Sequence, residues 1–125
     1  MRKLLPLLLC LAMTACAARA VTPRGGTYRM SAPPETIHVP SLTLDAENGA
    51  FSFGFDALSS YLSIGGYEQD GSVLRCLTAD GLYTYLFRVV NETTLAFIAE
   101  GSSPVRMTDE RLGAPVTDGS VFLLD

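Results

Sequence analysis

The chain has 125 residues, of which 48% are hydrophobic and 18% charged, with a net charge of -4 and no tryptophan. That is too apolar and too weakly charged for a disordered chain, and it lacks the basic excess of a nucleic-acid binder. Three cysteines are too few for a disulfide-stapled miniprotein, and the length accommodates one core.

The N-terminus reads as an address. Arg2 and Lys3 precede an apolar run from Leu4 to Met13, and small residues follow from Thr14 to Ala18. This is the layout of a secretory signal peptide. The run is about half of the roughly 20 residues a spanning helix needs. Met13-Thr14-Ala15-Cys16 resembles the lipobox of bacterial lipoproteins. The resemblance implies acylation of the Cys16 thiol and cleavage just before it. Met13 departs from the usual leucine, and Leu9 makes Cys10 a poor competitor. Cleavage near Ala18 or Ala20 is the alternative, and it leaves a free secreted domain. The division is therefore a signal peptide over 1–15, a lipidated cysteine and tether over 16–24, and one β domain over 25–125. Removing Arg2 and Lys3 from the 9 basic residues leaves 7 against 13 acids, a net charge of -6. Lys3 is the sole lysine, so the mature domain has no lysine nucleophile.

Beyond the tether the pattern is strand-like. Strands are expected at 27–30, 39–44 and 51–55, with a Pro33-Pro34 loop after the first and an Asn48-Gly49 turn before the third. Phe51, Phe53 and Phe55 alternate strictly with Ser52 and Gly54. Asp56 to Leu62 has helix-like spacing, with Asp56 as N-cap, and predicts a helical insert plugging one end of the sheet. Further strands are expected at 64–68, 73–78, 83–90 and 93–99, separated by Asp70-Gly71, Asp80-Gly81 and Asn91-Glu92 turns. Val105 to Thr108 predicts another short strand, and Asp118-Gly119 precedes the last, 121–124.

A degenerate repeat runs at an offset of 32. Leu42, Asn48, Gly49, Phe51, Phe53 and Phe55 match Leu74, Asp80, Gly81, Tyr83, Tyr85 and Phe87. Two hairpins of this kind must share an aromatic face to bury it. Short meander strands then predict an all-β fold, a small antiparallel up-and-down barrel or half-barrel, lipocalin-like, of seven or eight strands.

Chemistry-bearing residues are sparse. His38 is the sole histidine, without the Gly-x-Ser-x-Gly elbow of a hydrolase or the companions of a zinc site. Cys76 shares parity with Leu74 and reads as a small core hydrophobe. The carboxylates are scattered through turns and make no calcium loop. Ser59-Ser60-Tyr61 is a polar cluster without an evident mechanism. Asn91-Glu92-Thr93 fits a glycosylation acceptor. Phe51, Phe53, Phe55, Tyr83, Tyr85, Phe87 and Phe97 fall on inward parity, with Tyr28 and Tyr67 as candidates to join them. They read first as core. Tyr83 and Tyr85 mark where a ligand pocket would open, because buried tyrosine hydroxyls need partners, with Phe53 as a further lining residue. No catalytic residue, metal ligand or cofactor is assigned.

Several stretches together carry a family resemblance. They are Leu42-Thr43-Leu44 to Phe53, Leu58 to Gly66-Tyr67, Asp80-Gly81-Leu82-Tyr83-Thr84-Tyr85-Leu86-Phe87-Arg88, and Leu95-Ala96-Phe97 through Ser103. They resemble a small extracytoplasmic β domain of Gram-positive bacteria. That domain occurs as lipoproteins and as an appendage on membrane metallopeptidases of the β-lactam-sensor (antirepressor) type. The peptidase's His-Glu-x-x-His is absent, so its activity does not transfer. The resemblance implies a place on the outer face of the cytoplasmic membrane and a sensing or accessory role. The expected partners are the membrane, through the anchor, and an envelope protein such as a sensor metallopeptidase. The leading expectation is a non-catalytic binding module, with a lipocalin-like carrier of a small apolar ligand second and a hydrolase third.

Overall fold

The computed structural model describes residues 20–125. The signal peptide and the acylated Cys16 expected from the sequence lie outside the described residues. Period-2 alternation sets the architecture. Leu42 and Leu44, Phe51 and Phe53, Leu74 and Cys76, Tyr85 and Phe87, and Leu95 and Phe97 are all buried, while the residues between them point outward or stay half-covered. A sheet with one apolar face must bury it, and closing the sheet on itself does so while removing its edges.

The strands are β1 (Gly26–Met30), β2 (Ser41–Asp45), β3 (Ala50–Gly54), β4 (Ser63–Asp70), β5 (Val73–Thr78), β6 (Thr84–Asn91), β7 (Thr94–Ile98) and β8 (Val121–Leu124). Each pairs antiparallel with the next, and β1 pairs with β8, so the barrel is closed rather than half-open. The closing register places Tyr28 opposite Leu124 and Met30 opposite Phe122. An eight-stranded barrel has an interior just wide enough for side chains to fill, and here aromatic rings fill it. Phe53 lies 5.0 Å from Tyr85, 5.4 Å from Phe87 and 6.1 Å from Phe122, and Phe87 lies 5.5 Å from both Phe97 and Phe122, all near edge-to-face. That geometry suits the ring quadrupoles.

Three sequence expectations are corrected. Asp56 to Leu62 forms a turn without helix. Leu58, Tyr61 and Leu62 find no surface to bury against and stay exposed, while Asp56 Oδ1 takes the Leu58 amide and Ser59 Oγ takes that of Tyr61. The short helical element is instead a 3-10 turn at Glu110–Leu112, capped by Asp109. Val105 to Thr108 forms no strand; with β8 closing onto β1, no edge remains for it to join. Tyr83 lies outside the strand and is 38% exposed. The β2–β3 ladder pairs Leu42 with Phe53, but β5–β6 pairs Leu74 with Phe87 rather than Tyr85. The second hairpin is thus longer by two residues, and Tyr83 sits in its turn.

The two barrel ends differ. At one end the β2–β3, β4–β5 and β6–β7 connections are short turns, with Gly49 at φ 62° and Gly71 at φ 61°. The described chain also enters there. Arg24 N donates to Glu92 O at 2.8 Å, and the Tyr28 hydroxyl donates to Arg24 O and Glu92 O. Every longer connection, 31–40, 55–62 and 99–120, lies at the other end, together with the 79–83 turn. Pro40 and Val116 are buried there, and Val39, Val105 and Ala114 pack on the core beside them, so these loops close much of that mouth.

Candidate functional site

The remaining opening of the loop end is a pocket of about 260 Å³. Phe53, Phe55 and Tyr85 give it an aromatic lining, Ser59, Ser63, Tyr61 and Tyr83 add hydroxyls, and Asp56, Pro104 and Arg106 complete it. The structure therefore brings together Phe53, Tyr83 and Tyr85, the three residues marked from the sequence. They arrive from different places. Phe53 and Tyr85 are inward residues of β3 and β6, whereas Tyr83 comes from the preceding turn.

Two polar ties hold the 55–62 loop over the pocket. Asp56 Oδ2 accepts from the Thr108 amide at 3.0 Å and from its hydroxyl at 2.6 Å, which joins this loop to the 99–120 connection. The Tyr61 hydroxyl donates to Asp80 Oδ2 at 2.5 Å, which joins it to the β5–β6 turn. Asp80 Oδ1 in turn accepts from the Thr78 hydroxyl at 2.7 Å and from the Leu82 amide at 3.0 Å. Tyr61 and Tyr83 then stack edge-to-face, 5.3 Å apart.

The charges follow from these bonds. The Thr108 hydroxyl holds the Asp56 carboxyl below the usual range, and the Tyr61 hydroxyl does the same to Asp80. The same bond raises the Tyr61 phenol, because its proton is shared with a carboxylate. Burial raises Tyr85, with the Ser63 hydroxyl partly opposing. Arg106 is exposed and forms no ion pair among the described residues; the ion pairs found there use Arg24, Arg29, Arg75 and Arg111.

Ser59-Ser60-Tyr61 thus contributes to the pocket lining through Ser59 and Tyr61. Asp80 read only as a turn residue, and Arg106 carried no local signal at all. Asp80 gains its place from the β4–β5 pairing, which sets its turn beside the 55–62 loop, and Arg106 from the 99–120 connection folding over the mouth. His38 lies in the 31–40 loop, where its amide donates to Leu112 O at 2.8 Å and it bridges Gly113. Its Nε2 is buried without a partner. Cys76 is wholly buried between Tyr67 on β4 and Tyr85 on β6, and burial pushes its thiol up to about 12. Such a thiol is a packing group at neutral pH.

Larger hollows of about 560 and 470 Å³ lie on the outer wall around β4 and β5. Their linings include the exposed Arg75–Glu68 pair, 3.2 Å apart, and they lack the convergence of aromatic and hydroxyl groups found at the loop end. Among the described residues no three His, Cys, Asp or Glu side chains cluster as a metal site, and no helix is long and apolar enough to cross a membrane. Compared with family models, curated proteins and solved structures, the chain matches none.

Proposed function

We propose that this chain is a lipid-anchored extracytoplasmic domain acting as a non-catalytic binding, sensing or accessory module for an envelope protein, and that its loop end is the working surface. One observation carries the reading. Ile37, Leu58, Tyr61, Leu62, Leu82 and Tyr83 are all exposed in the connections of that end, whereas the described chain enters at the opposite end. Scattered exposed apolar residues need no explanation, but a concentration on one end does. A lipid on Cys16 would tether the short-turn end. Strands of five residues span about 17 Å, so the apolar loops would face outward from the membrane. The aromatic filling of the barrel favours this reading over a carrier with its ligand in the interior. The mouth pocket keeps a lipocalin-like carrier as the second reading, with Phe53, Tyr83 and Tyr85 as its lining.

Two measurements in the native host test it. Replacing Cys16 with serine should move the protein from the membrane to the soluble fraction; an unchanged membrane fraction would sink the anchor. A photo-crosslinking residue at Leu62 should give a discrete protein adduct that the same residue at Glu47, in the β2–β3 turn, does not give. Equal adducts at both positions, or none at Leu62, would count against the loop end as a partner surface.

A further inference from the structure

We propose that the loop-end pocket takes a carboxylate borne on an apolar group of about one residue's size, with Arg106 as its ion-pairing partner. This gives a ligand chemistry to the loop end argued above as the binding surface, and it rests on that reading. Size comes first. At about 260 Å³ the pocket falls below the roughly 300–1,000 Å³ of sites that hold drug-sized ligands. It suits one branched or aromatic side chain and little more.

The inner lining sets the apolar part. Phe53 and Tyr85 are 3% and 2% exposed, and Phe55 lies 5.0 Å from Phe53 and 6.0 Å from Tyr85. Of these rings the half-buried Phe55 is the one that leaves surface to a group entering from the mouth, with Phe53 and Tyr85 as the floor beneath it. The rim sets the charge. Only Asp56 and Arg106 are charged among the lining residues. Asp56 is engaged within the protein, through Oδ1 to the Leu58 amide and Oδ2 to Thr108. Arg106 forms no ion pair among the described residues. Of the six described arginines, Arg24, Arg29, Arg75 and Arg111 form ion pairs and Arg88 and Arg106 form none among the described residues; of these two, only Arg106 lines the pocket. A guanidinium left free beside an aromatic pocket matches a planar carboxylate in a bidentate pair. The Ser59 and Tyr83 hydroxyls of the lining can donate to the same oxygens, whereas that of Tyr61 is committed to Asp80.

Two sources carry this chemistry: a free small acid, and the C-terminal residue of a peptide. The test titrates the full-length protein, by nuclear magnetic resonance, with N-acetyl-leucine, N-acetyl-phenylalanine and their amides. A leucine-ending pentapeptide with a free or an amidated C-terminus is the second arm. Small ligands of this size bind weakly, so dissociation constants in the high micromolar to millimolar range are expected. At least one acid should bind about tenfold more tightly than its amide, as expected for a charge-assisted pair. Arg106→Gln, at an exposed position, should keep the fold and erase the difference. Binding of both acid types gives a general apolar-carboxylate site, and binding of the peptide alone makes the source a chain terminus. Equal affinity for acid and amide, no binding by any acid, or discrimination that survives Arg106→Gln would overturn the proposal. If the Leu62 crosslink in cells persists unchanged with Arg106→Gln while no acid binds, the carboxylate assignment falls and the partner surface stands.

Discussion

Phe53 and Tyr85 meet edge-to-face with ring centroids 5.0 Å apart, although they occupy corresponding places in two separate hairpins. The two hairpins turn at opposite ends of the barrel, since β2 and β5 run in opposite directions. Their aromatic strands can therefore share the interior without competing for one layer. Phe53 also packs on Phe87 and Phe122, so it links residues far apart in sequence. Phe53→Ala should destabilise by about 3–5 kcal/mol, as truncation of a buried aromatic does. Equilibrium denaturation checks this, and a loss near zero would show that the interior is not held by this ring.

Gly65 makes a sharper prediction. A Cβ there would stand 2.1 Å from Leu77 O and 2.8 Å from Ala79 N. Both are backbone atoms of the neighbouring strand and its end, so no side chain can swing aside. Gly65→Ala should cost at least the ~1–3 kcal/mol typical of overpacking. For a domain of this size each kcal/mol lowers Tm by roughly 4–8 °C. Gly71→Ala at the open β4–β5 turn is the comparison. Nothing lies within 4 Å of its Cβ, but its φ of 61° strains any side chain, so a smaller loss is expected.

The Tyr61–Asp80 bond and the Asp56–Thr108 pair predict an acid response of the 55–62 loop. Both carboxyls are held below their ordinary value of 3.8 in the folded protein. Their contribution is complete above that value and is lost as pH falls through the lower folded values. Amide exchange in the 55–62 loop should therefore rise on acidification before the barrel unfolds. Asp80→Asn should flatten part of that response, and Tyr61→Phe should raise loop exchange at all pH values while leaving Tm nearly unchanged.

Cys76 contributes first on the alkaline side. Its folded thiol titrates near 12, raised from 9.0 by burial. The folded state keeps its proton where the unfolded chain loses it, so stability falls as pH rises from 9.0 toward about 12. Cys76→Ala should remove the part of that slope that begins at 9.0 and leave the part set by the Tyr28, Tyr67 and Tyr85 phenols, which burial also raises from 10.0. In the native protein the thiol should resist a thiol reagent at neutral pH and react at once in denaturant. Rapid labelling of the folded protein would contradict the burial.

By itself the sequence determined the strand pattern. Period-2 burial is local, and glycine turns such as Asn48-Gly49 and Asp70-Gly71 punctuate it, so all eight strands were legible within a residue or two of their bounds. Phe53 and Tyr85 were legible as inward residues for the same reason. Tertiary structure alone decided the rest. A two-residue difference in hairpin register moved Tyr83 out of the core and into the pocket wall. Leu58, Tyr61 and Leu62 have helical spacing, but an amphipathic helix needs a surface to cover. The barrel mouth offers none to them, so side-chain bonds from Asp56 and Ser59 settle the loop instead. Strand alternation puts Asp80 and Arg106 at the same end, and the curling of the sheet into a barrel brings the 99–120 connection against the 55–62 loop, where Thr108 meets Asp56. Alternation is written residue by residue; the meeting of loops is written only in the closure.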